Sequence, residues 1–157
     1  MTEGSLATLY HKYELRDSQV SEFTRQILNG LKYLHDQKVV HRDIKCANIL
    51  VHASGSVKLA DFGLAKATEM NAARTSIGSA FWMAPEVVNP KPQALYRIGR
   101  GKLPPVPQSL SSNARDFILK CLQKYPEDRP SAEELLGHPF VSKPPTTGFA
   151  SPLFNDK

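Results

Sequence analysis

Between Asp17 and Asp36 the apolar positions Val20, Phe23, Ile27, Leu28, Leu31 and Leu34 recur three or four residues apart. That is the spacing at which side chains line one face of an α-helix. Asp17 and Ser18 stand where N-caps belong, so the pattern predicts an amphipathic helix over 17–36 that lays one stripe on a core. Two short apolar runs follow, 48–51 and 57–60, separated by His52-Ala53-Ser54-Gly55-Ser56. Gly55 can take a positive φ at no steric cost, and the two runs predict a β-hairpin. Residues 61–83 are rich in Ala, Thr, Ser and Gly with no sustained period. Connections that long inside a domain are usually functional or disordered.

Farther along, Asn89-Pro90-Lys91-Pro92 and Pro104-Pro105-Val106-Pro107 interrupt the chain twice and leave room for only a short helical piece at 93–98. A second helix is predicted over 112–124, where Ala114, Phe117, Ile118, Cys121 and Leu122 form one stripe that puts Cys121 in the core. Ser131-Ala132-Glu133-Glu134 is a capping box and starts a third helix. From Lys143 onward the composition turns to Pro, Thr, Ser and Gly, and a disordered tail is expected.

Composition changes this picture little. The chain has 157 residues, 41% of them apolar, and a formal charge of +5. That describes one globular domain or a large piece of one. The longest apolar run, Ala80 to Ala84, is five residues, against the roughly 18 a membrane span needs; no membrane insertion is expected. Met1-Thr2-Glu3-Gly4 does not read as a signal peptide. Cys46 and Cys121 are far apart with no second ligand at metal spacing, which argues against a disulfide scaffold or a zinc knuckle. A reducing compartment is expected, the cytoplasm first and the nucleus second. The basic residues are scattered, with Arg97, Arg100 and Lys102 the densest group. Without aromatic interleaving or a reader motif this reads as a solvated face, not a nucleic-acid surface.

Chemistry enters with three short strings. His41-Arg42-Asp43-Ile44-Lys45-Cys46-Ala47-Asn48 precedes the hairpin, Asp61-Phe62-Gly63 follows it, and Trp82-Met83-Ala84-Pro85-Glu86 comes later. Any one is weak alone, since a given residue type recurs about once in 15 to 20 positions. Three in this order with a hairpin between the first two are highly specific. They resemble the catalytic loop, the magnesium-binding turn and the end of the activation segment of a eukaryotic protein kinase.

The resemblance implies a role for each matching residue. Phosphoryl transfer asks the protein for positioning more than covalent chemistry. It needs a carboxylate to orient the attacking hydroxyl and accept its proton, and that residue is Asp43. Asp61 and Asn48 offer oxygen atoms suited to Mg2+, a hard ion that keeps some of its waters. Lys45 would hold the γ-phosphate of ATP, and a lysine there is the serine/threonine form of the family. Arg42 would grip a phosphate on the activation segment. The candidates there are Thr68, Thr75, Ser76 and Ser79: Thr75 and Ser76 are the better regulatory sites, and Ser79 reads first as a substrate-loop residue. Glu86 would pair with Arg129 as a structural contact.

Blander readings hold for other residues. His41 is expected to pack and hydrogen-bond instead of acting as acid or base. Lys58 reads as an exposed strand residue, because no Val-Ala-Ile precedes it. Cys46 reads as a small packed thiol. His35, His41 and His52 with Asp36 and Asp43 lack a ligand spacing that would suggest a metal hydrolase.

Within the kinases, the runs 24–35, 57–66 and 81–88 look like a mitogen-activated protein kinase kinase kinase, plant members most of all. This implies a downstream protein kinase as substrate and an upstream kinase or scaffold as further partner. No Gly-x-Gly-x-x-Gly occurs, the only Gly-x-Gly being Gly99-Arg100-Gly101, and no Val-Ala-Ile-Lys occurs either. Asn89-Pro90-Lys91-Pro92 stands where the family has its long central lower-lobe helix. The fold expectation is therefore a mainly α chain with a small β-hairpin: a kinase-like C-terminal lobe lacking the N-terminal lobe and the central helix. It comprises a partial domain over 1–141 with an internal deletion near 89–92, and a disordered tail over 142–157. Phosphotransfer by the chain alone is expected to be weak or negligible. The alternatives are a non-catalytic fragment acting as a binding or dominant-negative module, and an incomplete gene product.

Overall fold

A computed structural model describes residues 2–67, 82–84 and 103–142. In chain order the described elements are β1 (Thr2–Ser5), α1 (Leu6–Lys12), α2 (Asp17–Asp36), β2 (Val39–Val40), β3 (Ile49–His52), β4 (Val57–Leu59), β5 (Lys66–Ala67), α3 (Ser112–Cys121), α4 (Ala132–Leu136) and α5 (Pro139–Ser142). Single 3-10 turns lie at Cys46–Asn48, Phe62–Leu64 and Pro126–Asp128.

The longest helix, α2, has the boundaries its apolar spacing predicts, Asp17–Asp36. Its cap differs, because Arg16 is the N-cap and its backbone N–H donates to Gln19 Oε1 at 2.9 Å. The Asp17 carboxylate instead accepts from Ser111 Oγ at 2.8 Å. Ser111 in turn caps α3 by accepting from the Ala114 N–H at 3.2 Å, so one hydroxyl joins the starts of two helices. The hairpin also forms, as β3 and β4 in the register Ile49↔Leu59, Leu50↔Lys58 and Val51↔Val57. Gly55 sits in its turn at φ +81°, a conformation that disfavours a Cβ. Lys58 is exposed on β4.

Two expectations are corrected. The described residues hold more than a single hairpin: β1 adds to β3 antiparallel to give a three-stranded sheet β1-β3-β4, and β2 pairs with β5 in a second sheet. All five strands lie within 2–67, ahead of α3, α4 and α5. Strands of two to four residues show no period that could announce them, and their pairing is set by tertiary contact. Cys121 is the second correction, because it is exposed. The buried residues of α3 are Ala114 and Phe117. The helix then ends at Cys121, short of the expected 124, so the last part of the stripe lies beyond the core.

Among the described residues the interior has two clusters. Leu28, Ala114, Phe117, Ala132, Leu135, Phe140 and Val141 form the larger, joining α2 to α3, α4 and α5. Leu9, Phe23 and Val51 form the smaller, joining α1, α2 and β3. α2 supplies residues to both. The capping box at the start of α4 forms as its sequence predicts, with Glu134 N–H donating to Ser131 Oγ and Ser131 N–H to Glu134 Oε2.

His138 is buried beside the larger cluster. Its Nδ1 accepts from the Phe140 N–H at 3.1 Å, so its proton resides on Nε2, which donates to Asp116 Oδ2 at 2.8 Å. The Asp116 carboxylate is held below its ordinary value, chiefly by the Lys120 ammonium at 2.7 Å and secondly by His138. A carboxylate with a depressed pKa stabilises the fold above its unfolded pKa and stops doing so as pH falls through the folded one. Asp116→Asn should therefore lower the thermal midpoint by a constant small amount near neutrality. That difference should shrink below about pH 4, read by melts across the acid range.

Candidate active site

The loop between β2 and β3 carries the first string, and its backbone is bent to aim the side chains inward. Arg42 takes φ +67°, a left-handed conformation uncommon for a non-glycine residue. Its guanidinium Nε donates to the Leu64 carbonyl at 2.6 Å, which secures both the bend and the turn after Asp61. His41 is 2% exposed, and its Nδ1 accepts from the Asp43 N–H at 3.4 Å while Nε2 donates to the Ala60 carbonyl at 3.0 Å. The Phe62 ring lies 4.9 Å from the imidazole, centroid to centroid. His41 thus packs and hydrogen-bonds, as its sequence setting suggests.

Asp43 is only 7% exposed, and its Oδ2 is held by two donors. Lys45 Nζ lies 2.8 Å from Asp43 Oδ2, and Asn48 Nδ2 donates to the same oxygen at 2.9 Å and to the Asp43 carbonyl at 2.9 Å. A buried carboxylate demands such compensation, and two donors on one oxygen supply it. The 3-10 turn Cys46–Asn48 bends the chain back so that residues 43, 45 and 48 meet.

Asp61 arrives from the other strand of the hairpin. The Ala60 N–H donates to the Asn48 carbonyl at 2.8 Å, which ties the end of β4 to the start of β3. Asp61 follows at φ 62° and ψ 72°, exposed, with Oδ1 accepting from the Gly63 N–H at a long 3.4 Å. The structure therefore brings Asp43, Lys45 and Asn48 into direct contact and places Asp61 one residue beyond the backbone bond to Asn48. The donor set fits a hard divalent cation. The Asn48 amide nitrogen is committed to Asp43, its oxygen is the ligating atom that remains, and Asp61 is an exposed carboxylate whose only described bond is weak.

Other candidates fare differently. Thr68, Thr75, Ser76, Ser79 and Glu86 lie outside the described residues. Arg129 is described, partly buried at the end of the Pro126–Asp128 turn. Cys46 is partly buried, and burial pushes its thiol up from the ordinary range, which keeps it protonated and unreactive. The residue that sequence reasoning missed is Gln26 on α2. Its side chain accepts from the Val57 N–H at 2.8 Å and donates to the Gly55 carbonyl at 3.1 Å. A glutamine inside a helical repeat carries no signal of such a contact.

Among the described residues no helix is long and apolar enough to cross a membrane. The model of the family described as "Protein kinase domain" matches residues 1–98. That match starts at the N-terminal region, where the sheets also lie, and it overturns the expectation of a C-terminal lobe lacking the N-terminal one. Mitogen-activated protein kinase kinase kinase 1 of Arabidopsis thaliana is 52% identical over 98% of this chain and 32% of its own length. Mitogen-activated protein kinase kinase kinase 9 of the same plant is 48% identical over 96% of this chain and 24% of its own. Mitogen-activated protein kinase kinase kinase 1a of Physcomitrium patens is 44% identical over 94% and 24%. The chain spans about a quarter to a third of the length of these curated relatives. With the first two strings meeting at the base of one hairpin, beside a buried carboxylate, the chain belongs to the protein kinase family, and its domain is of the mitogen-activated protein kinase kinase kinase type.

Proposed function

We propose that the site serves serine/threonine phosphotransfer from ATP to a downstream protein kinase of the mitogen-activated protein kinase kinase class. The observation that carries the reading is the buried Asp43 carboxylate held by Lys45 and Asn48. Asp43 orients the attacking hydroxyl and takes its proton, and the two donors hold the carboxylate in place. Lys45, its ammonium partly exposed beside Asp43, carries positive charge to the transferring phosphate. Asn48 and Asp61 would hold Mg2+, which would neutralise phosphate charge when bound with ATP. Arg42, in a segment next to Leu64, would receive a phosphate carried by Thr75 or Ser76, and Ser79 would face the substrate. Glu86 with Arg129 would be a structural pair.

Residues 1–141 would constitute the kinase portion, shortened near 89–92, with 142–157 as a tail. Support for the shortening comes from the alignment with the first relative, which extends over 192 residues against the 157 of this chain. The unpaired Cys46 and Cys121 support a reducing compartment, the cytoplasm first and the nucleus second. An upstream kinase or scaffold would complete the cascade.

Because the 157 residues hold no Gly-x-Gly-x-x-Gly and no Val-Ala-Ile-Lys, the chain alone is a slow enzyme. Incubated with radiolabelled ATP and a recombinant kinase kinase, it should label serine or threonine, not tyrosine. The rate should lie at least about 100-fold below the roughly 1–100 s⁻¹ usual for protein kinases. A rate within that usual range would refute the slow-enzyme proposal, and label on tyrosine would refute the substrate class.

A further inference from the structure

The hairpin β3-β4 has a metal-ligand candidate at each end of its base, Asn48 entering β3 and Asp61 leaving β4. Any slide or tilt of the hairpin moves both. Its seating on α2 is consequently part of the site.

Two contacts make that seating, one helical turn apart on α2. At the tip, the Gln26 amide behaves like one rung of a further strand: Oε1 accepts from the Val57 N–H at 2.8 Å and Nε2 donates to the Gly55 carbonyl at 3.1 Å. Glu22 Oε1 accepts from the same Nε2 at 3.0 Å and thereby orients the amide. At the base, Gly30 lets α2 approach so closely that a Cβ there would lie 3.3 Å from Leu59 Cδ1. β4 is the edge strand of the order β1-β3-β4, so α2 is what covers and holds its outer edge.

From this the geometry points to Gln26 as a positioning residue for the metal pair, a role that rests on the kinase reading of Asn48 and Asp61. It touches neither ligand. It fixes the hairpin against α2, and the Ala60–Asn48 and His41–Ala60 bonds pass that position to the loop and to Asp61. Gln26→Leu keeps bulk and helix propensity but removes both bonds to the turn. Gln26→Glu keeps the acceptor for the Val57 N–H and loses the donor.

The test measures binding of Mn2+ with a non-hydrolysable ATP analogue, by water-proton relaxation, to the 157-residue chain and its variants, alongside thermal melts. The parent should bind and Asp61→Asn should not. Gln26→Leu should bind about 10-fold more weakly, the effect typical of residues that support metal ligands, while its melt stays cooperative and its folded fraction at the assay temperature matches the parent. Gln26→Glu should fall between. Equal affinity in Gln26→Leu and the parent, or a loss no greater than the drop in folded fraction, overturns the positioning role and leaves the kinase reading intact. Equal behaviour of the parent and Asp61→Asn removes the metal reading itself, and the proposal with it.

Discussion

Replacing Asp43 with asparagine should cut phosphotransfer by about 10²–10⁴-fold, the range that a positioned general base contributes. Asparagine has nearly the shape of aspartate, so the buried setting beside His41 and Asn48 is preserved and the change is chemical. The variant loses the atom that accepts the substrate proton. It also leaves Lys45 without its carboxylate, but that ammonium is partly exposed and can turn to water. Single-turnover labelling at high enzyme concentration reads the effect even where the parent is slow, and a melt of the variant establishes that it is folded. A rate within twofold of the parent would remove Asp43 from the mechanism.

The largest effect on stability is expected at Phe117→Ala, about 3–5 kcal/mol. The ring sits at the centre of the larger cluster, 5.4 Å from the Phe140 ring and 5.3 Å from His138, centroid to centroid. Deleting it removes a buried aromatic and opens a cavity bounded by α2, α3 and α5. The segment that carries His138 and the short helix α5 with Phe140 is also tied down by the Ser21 Oγ bond to the Phe140 carbonyl and the His138–Asp116 bond. It cannot close the gap without giving these up. Since domains are typically stable by only about 5–15 kcal/mol, the variant should lose much of its cooperative transition in urea. A loss below about 1 kcal/mol would mean that the cluster tolerates repacking around residue 117.

What could be read in advance divides along physical lines. α2 was legible because 20 residues repeat the helical period often enough to exclude a strand, and the hairpin because Gly55 marks the turn between two apolar runs. β1, α1, β2 and β5 were not, since pieces this short are decided by what they pair with. Cys121 was misplaced because a stripe shows which face turns inward but not where the neighbouring elements stop. The site residues 43, 45, 48 and 61 stood out by their order and spacing, which are local properties. Gln26 did not, because its partners lie 29 and 31 positions away and are backbone groups. Backbone partners leave no trace in residue type.

α2 contributes Phe23 to one cluster and Leu28 to the other, and that sharing bears on cooperativity. The sheet that frames the site and the helices around Phe117 are not independent melting units, because neither can release its interior without stripping the middle of the same helix. Local opening is then confined to segments peripheral to α2, and the amides of its middle turns, near Phe23 to Leu28, exchange with solvent only through global unfolding. A loss of packing at Phe140 is therefore felt at Asn48, in a part of the fold it never touches, as a change in the fraction of time the whole site exists.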